Sequence, residues 1–109
     1  MKVSFEGIGQ VCATFLGSGL TEGQVVKVSG RGTAAPCGEG DPFCGVAVHS
    51  AGDACAVQVR GFASVEFSGE APGVGKVKLC ADGKGGVKIG EGGEYLVVDV
   101  DGKTATILL

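Results

Sequence analysis

The chain has no tryptophan, one methionine and one histidine, and its only aromatics are five phenylalanines and one tyrosine in 109 residues. A core without large side chains must rest on valine, alanine and cysteine. At about 25 cal/mol per Å² of apolar area, such a core is weakly stabilised, so association with a second copy or a larger body is expected. A single histidine means that any Cys–His or Ser–His catalytic pair would have to use His49. The carboxylates are spread over turns and outward strand positions, and no acid/base couple stands out among them. No catalytic residue is assigned, and no enzyme is expected.

Charge of one sign is equally sparse. Nine lysines and arginines stand singly, and the net charge is −3, which excludes the basic stripe of a nucleic-acid binder. No apolar run approaches the ~18 residues of a membrane span. Met1-Lys2-Val3-Ser4-Phe5-Glu6 lacks the long apolar stretch of a signal peptide, so synthesis in the cytoplasm is expected. Five cysteines in such a chain are read as free thiols. Cys12, Cys55 and Cys80 stand among valine, alanine and leucine, where cysteine behaves as a small hydrophobe.

Helical periodicity is also missing. Alternation with period two recurs in Val25 to Ser29, Val46 to His49, Ala56 to Arg60, Ala63 to Ser68, Lys76 to Leu79, Tyr95 to Val100 and Thr104 to Leu109. Twenty-two glycines punctuate these runs, and Asp101-Gly102 is a favoured tight-hairpin pair. The fold class is therefore all-β, a small barrel or sandwich forming a single domain over 1–109.

A weak duplication runs through the chain at about fifty residues. Gly23 opens Val25-Val26-Lys27-Val28 as Gly75 opens Lys76-Val77-Lys78-Leu79. Gly38-Glu39-Gly40 matches Gly90-Glu91-Gly92, with Phe43 matching Tyr95. Val46-Ala47-Val48 is aligned with Val98-Asp99-Val100. The halves read as 23–60 and 75–109, with 61–73 as a link and 1–22 as an N-terminal segment outside the repeat. Two such halves would close one barrel and remove most free edges.

Three motifs resemble sites and fail on detail. Gly69 to Val77 resembles a phosphate-binding loop, but Glu70 stands at the first glycine position and Val77 where Ser or Thr must hold magnesium. Cys37, Cys44, His49 and Cys55 suggest zinc, yet Cys37 and Cys44 are seven apart, wider than the usual ligand spacing. Lys84 in Asp82-Gly83-Lys84-Gly85 would suit a lipoyl- or biotin-carrier-like module, but the flanking residues are not those of a carrier lysine. No metal and no cofactor is assigned. The carrier-like reading, or a generic bacterial protein-interaction module, stands as the alternative function.

The run from Phe43 to Gly61, with Gly45-Val46-Ala47, Ala51-Gly52-Asp53 and Val57-Gln58-Val59 at its centre, resembles a family of small tailed-phage capsid decoration (head cement) proteins. Gly23-Gln24-Val25-Val26 and Gly73-Val74-Gly75-Lys76-Val77 fall where such proteins carry Gly-x-x-Val. The resemblance implies a non-enzymatic structural protein on the virion surface that binds and stabilises a lattice of major capsid protein, often as a homotrimer. It implies no cofactor, nucleic acid or membrane. The five cysteines depart from that family's usual composition. Within the N-terminal segment, Phe5, Ile8, Phe15 and Leu16 are the expected contact residues, because a few bulky side chains usually carry most of an interface.

Overall fold

The computed structural model describes residues 10–17 and 19–109, which form ten strands and no helix. The first five are β1 (Val11–Leu16), β2 (Val25–Gly30), β3 (Thr33–Pro36), β4 (Gly45–Ala51) and β5 (Ala54–Arg60). They close into a barrel in the order β1-β3-β2-β4-β5. The second five are β6 (Phe62–Glu66), β7 (Gly75–Ala81), β8 (Val87–Ile89), β9 (Gly93–Asp101) and β10 (Thr104–Leu108). They form a sheet in the order β6-β10-β9-β7-β8. Each half thus builds its own sheet, rather than the two interleaving to close one barrel.

The strand order of the second sheet is that of the first, and the registers of the β1–β5 and β4–β5 ladders recur residue by residue in β6–β10 and β9–β10. Phe15↔Cys55, Thr14↔Ala56 and Ala13↔Val57 recur fifty positions on as Val65↔Ala105, Ser64↔Thr106 and Ala63↔Ile107. Ala47↔Val57 and His49↔Ala56, with a bulge between them at Val48, recur as Val97↔Ile107 and Asp99↔Thr106, with the bulge at Val98. A similar contact links the outer strands of the second sheet: Leu16 meets Thr33 in the barrel, and Phe67, just after β6, meets Val87 as an isolated parallel bridge.

This pairing matches Val46-Ala47-Val48 with Leu96-Val97-Val98, not with Val98-Asp99-Val100. A two-residue slip keeps every side chain on its own face, so alternation alone does not distinguish the two alignments. The repeat drawn from pairing also begins at β1. Strand β6, inside the stretch read as a link, is the counterpart of β1.

The halves differ in two connections. Between the third and fourth strands the first half has residues 37–44, where the second has only 90–92. Between β7 and β8 the second half has 82–86, where the first has only 31–32. The two longer connections meet. Gly40 N donates to Ala81 O at 2.9 Å and Ala81 N to Asp41 O at 2.9 Å, while Val25 N donates to Gly85 O at 3.0 Å. Phe43 stacks on Tyr95 with ring centroids 4.7 Å apart and planes 9° from parallel, and Tyr95 Oη donates to Phe43 O at 3.1 Å. These rings therefore touch across the junction instead of holding equivalent positions.

One core cluster spans that junction, joining Val25, Cys37, Phe43 and Val46 to Val65, Leu79, Val87, Val97 and Ile107. A smaller one fills the first barrel with Leu20, Val26, Ala34, Ala47, Cys55 and Val57. Asp82 anchors the longer β7–β8 connection by accepting from Ser68 Oγ, Lys84 N and Gly86 N. Gly86 is required there, because a Cβ would lie 2.4 Å from Glu66 O.

Candidate functional site

Directly opposed residues of an antiparallel ladder point to one side of the sheet, so the registers define what each half shows outward. Inward on β1 go Ala13 and Phe15, opposite buried Val57 and Cys55. Outward go Cys12, Thr14 and Leu16, beside Ala54 and Ala56 of β5 and His49 and Ala51 of β4. Leu16 is 58% exposed, and Val11, at the opposite end of β1 and paired with Arg60, is 52% exposed. Cys12, Thr14, His49 and Ala51 are exposed as well. From Cys12 to Leu16 this face carries no carboxylate, and its side chains are small except for Leu16 and His49.

The same ladder positions in the second half carry Glu66, Ser64, Phe62, Thr104, Thr106, Asp99 and Asp101, with Leu108 and Leu96, each 37% exposed, in the row of Phe62. Glu66 replaces Leu16, Asp99 replaces His49 and Asp101 replaces Ala51. The rows around Leu16 and Thr14 are thus neutral in the first half and carry three carboxylates in the second, while the far end of the second face is apolar with Phe62, Leu108 and Leu96. Single exposed apolar residues are ordinary on protein surfaces, whereas a neutral patch with large apolar members at its edge is the usual character of a contact.

Of the contact residues expected from the sequence, Leu16 lies on this face. Phe15 does not: it is half-buried and packs on the first-barrel core, because alternation along β1 turns it inward. Phe5 and Ile8 lie outside the described residues. Val11, which was not among the expected contact residues, is 52% exposed beyond the register shift between Val11 and Cys12.

The motif residues are dispersed. Gly69 to Val77 leads into β7, with no helix after it. His49 stands on the outer face of β4, whereas Cys55 faces the barrel interior and Cys37 joins the spanning core. Among the described residues, no group of three or more His, Cys, Asp or Glu is placed to hold a metal ion. Lys84 sits exposed in the β7–β8 connection, its amide given to Asp82.

All five cysteines are unpaired. Cys12, grouped by sequence with the small hydrophobes of a core, is exposed, while Cys37, Cys55 and Cys80 are buried. Burial, reinforced by the Asp41 carboxylate, pushes the Cys37 thiol up to about 11, and burial raises Cys44 and Cys55 too. These thiols are thereby held protonated, the unreactive form. The Asp41 carboxyl is held low by Lys27 Nζ at 2.7 Å and then by Gly38 N, and that hydrogen bond raises Lys27 in turn.

Among the described residues, no helix is long and apolar enough to cross a membrane. No protein-family model matches the chain, and no curated protein matches it.

Proposed function

We propose that this chain is a non-enzymatic binding protein that docks on a protein lattice through the neutral outer face of β1, β5 and β4. The observation that carries the reading is the contrast between two copies of one ladder. Where the second half bears Glu66, Asp99 and Asp101, the first bears Leu16, His49 and Ala51. Charged residues are depleted from the centres of protein interfaces, and the first face satisfies that condition while the second does not.

The resemblance to tailed-phage decoration proteins supplies the partner class. On this reading the partner is a lattice of major capsid protein, the site of action is the virion surface, and the chain is a homo-oligomer, with a trimer favoured. A compact double unit whose ionisable side chains serve turns and surface pairs suits such a role. The contact residues become Leu16 and Val11, with Phe15 supporting β1 from within.

Leu16→Asp tests this directly. The variant should keep the circular dichroism of the wild type and lose co-sedimentation with head shells assembled from the capsid protein encoded beside it. Undiminished binding would remove the face from the reading, and the absence of capsid and portal genes nearby would remove the partner. A wild type that sediments as a monomer at high concentration would remove the oligomer.

A further inference from the structure

We propose that Gly61 is a hinge. Opened, it lets a second copy of this chain complete the junction, each half docking on the complementary half of its partner. This exchange stands apart from the lattice reading.

Gly61 alone separates β5 from β6. The chain bends there, and Gly61 holds φ at +99°, in the region that favours glycine. The bend is buried and is held by Gln58, a side chain only 4% exposed. Gln58 Nε2 donates to Arg60 O at 3.1 Å and to Phe62 O at 2.9 Å, so one amide group bridges the carbonyls on either side of Gly61. Gln58 Oε1 accepts from Gln10 Nε2 at 3.1 Å, and Gly61 O accepts from Leu109 N at 2.9 Å.

The rest of the junction is non-covalent. It consists of the spanning core, the Phe43–Tyr95 stack, the backbone bonds of Gly40, Asp41 and Val25 to Ala81 and Gly85, and Lys88 Nζ on Glu39 at 2.7 Å. Among the described residues, no strand of one half pairs with a strand of the other. An opened hinge therefore leaves both sheets whole and uncovers only the junction surfaces, which fit the opposite half of any copy. Exchange of an identical unit needs no new interface, and a short hinge under strain invites it. The closed form is favoured in dilute solution, because a tethered half is held at roughly millimolar effective concentration. Glycine leaves that closed bend unstrained.

Gly61→Ala tests this. A Cβ in the left-handed region disfavours the closed bend about tenfold. A dimer that opens two hinges should then associate about a hundredfold more tightly than the wild type. Sedimentation should show a two-chain species with the circular dichroism of the wild type. Adding Phe43→Ala should dissolve it, because the exchanged junction has no tether to hold it together. A variant that assembles no further than the wild type overturns the proposal, as does a two-chain species that survives Phe43→Ala. Should Gly61→Ala not fold, wild type refolded from urea at high concentration decides. A two-chain species that persists on dilution and vanishes with Phe43→Ala supports the hinge, and its absence overturns it.

Discussion

Leu16 and Glu66 occupy the same position of the same ladder, fifty residues apart, beside Ala54 in one half and Thr104 in the other. Their ladders pair alike and the bulge of β4 recurs in β9, so the main differences between the halves are what the ladder shows outward and how its strands are connected. Inward positions keep one character: Phe15, Ala47, Cys55 and Val57 answer to Val65, Val97, Ala105 and Ile107, all apolar. Outward positions do not. A duplicated unit can hold its fold through the inner set while the outer set diverges, because surface changes away from special features usually move stability by about 0.5 kcal/mol or less.

The largest effect is expected where the halves are tied together. Phe43→Ala removes the stack on Tyr95 and a member of the spanning core, a loss of about 3–5 kcal/mol. Thermal unfolding followed by circular dichroism should separate into two transitions. A single transition at lower temperature would mean that the backbone bonds between the long connections suffice to couple them.

Truncation inside each half sharpens the comparison next. Ile107→Ala should cost about 2–5 kcal/mol, and Val57→Ala, which removes two methyl groups at the equivalent place, about 2 kcal/mol. In urea both variants should lower the midpoint without altering the slope. A changed slope in only one of them would show that its half unfolds by itself.

Acid should weaken the second half through Asp82. Burial alone would raise the Asp82 carboxyl, but Ser68 Oγ and the amides of Lys84 and Gly86 more than offset it and hold it below the usual range. A folded-state value below the unfolded one, near 3.9, stabilises the fold above pH ~4 and ceases to as pH falls through the depressed value. Asp82→Asn should flatten the acid limb of a stability–pH curve. An unaltered limb would place the acid sensitivity elsewhere, for instance at Asp41.

The smallest effect on stability, and the most specific on binding, should come from giving the first face the charges of the second. His49→Asp with Ala51→Asp should shift the unfolding midpoint by no more than the equivalent of about 0.5 kcal/mol. Docking should nevertheless be lost, because two carboxylates would be desolvated without partners. Retained docking would break the link between the two faces and function.

Much of the fold was legible because alternation and glycine-bounded turns are local signals. The all-β class and the hairpins at Gly52 and Gly102 follow from them. Pairing partners are not local, and that is where the reading slipped. In register, Cys12-Ala13-Thr14-Phe15 and Phe62-Ala63-Ser64-Val65 share only Ala13 with Ala63 and Thr14 with Ser64, too short a likeness to signal a repeat, so β1 was left outside it and β6 inside a link. Phe15 looked like a contact residue because aromatic content carries no sign of which face it takes. The neutral face was illegible for the same reason: it is assembled from three strands, and only the register shows that Leu16, Ala54 and Ala51 form one row.

The exposure of Cys12 has a practical consequence. It is the one exposed thiol of five and stands on the outer face of β1, while Cys37, Cys55 and Cys80 are buried and Cys44 is partly so. The folded protein therefore carries a built-in chemical footprint. A maleimide should modify Cys12 well before the others, and a partner seated on that face should shield it. The rate of one alkylation, read by mass, reports occupancy of the surface without any engineered label.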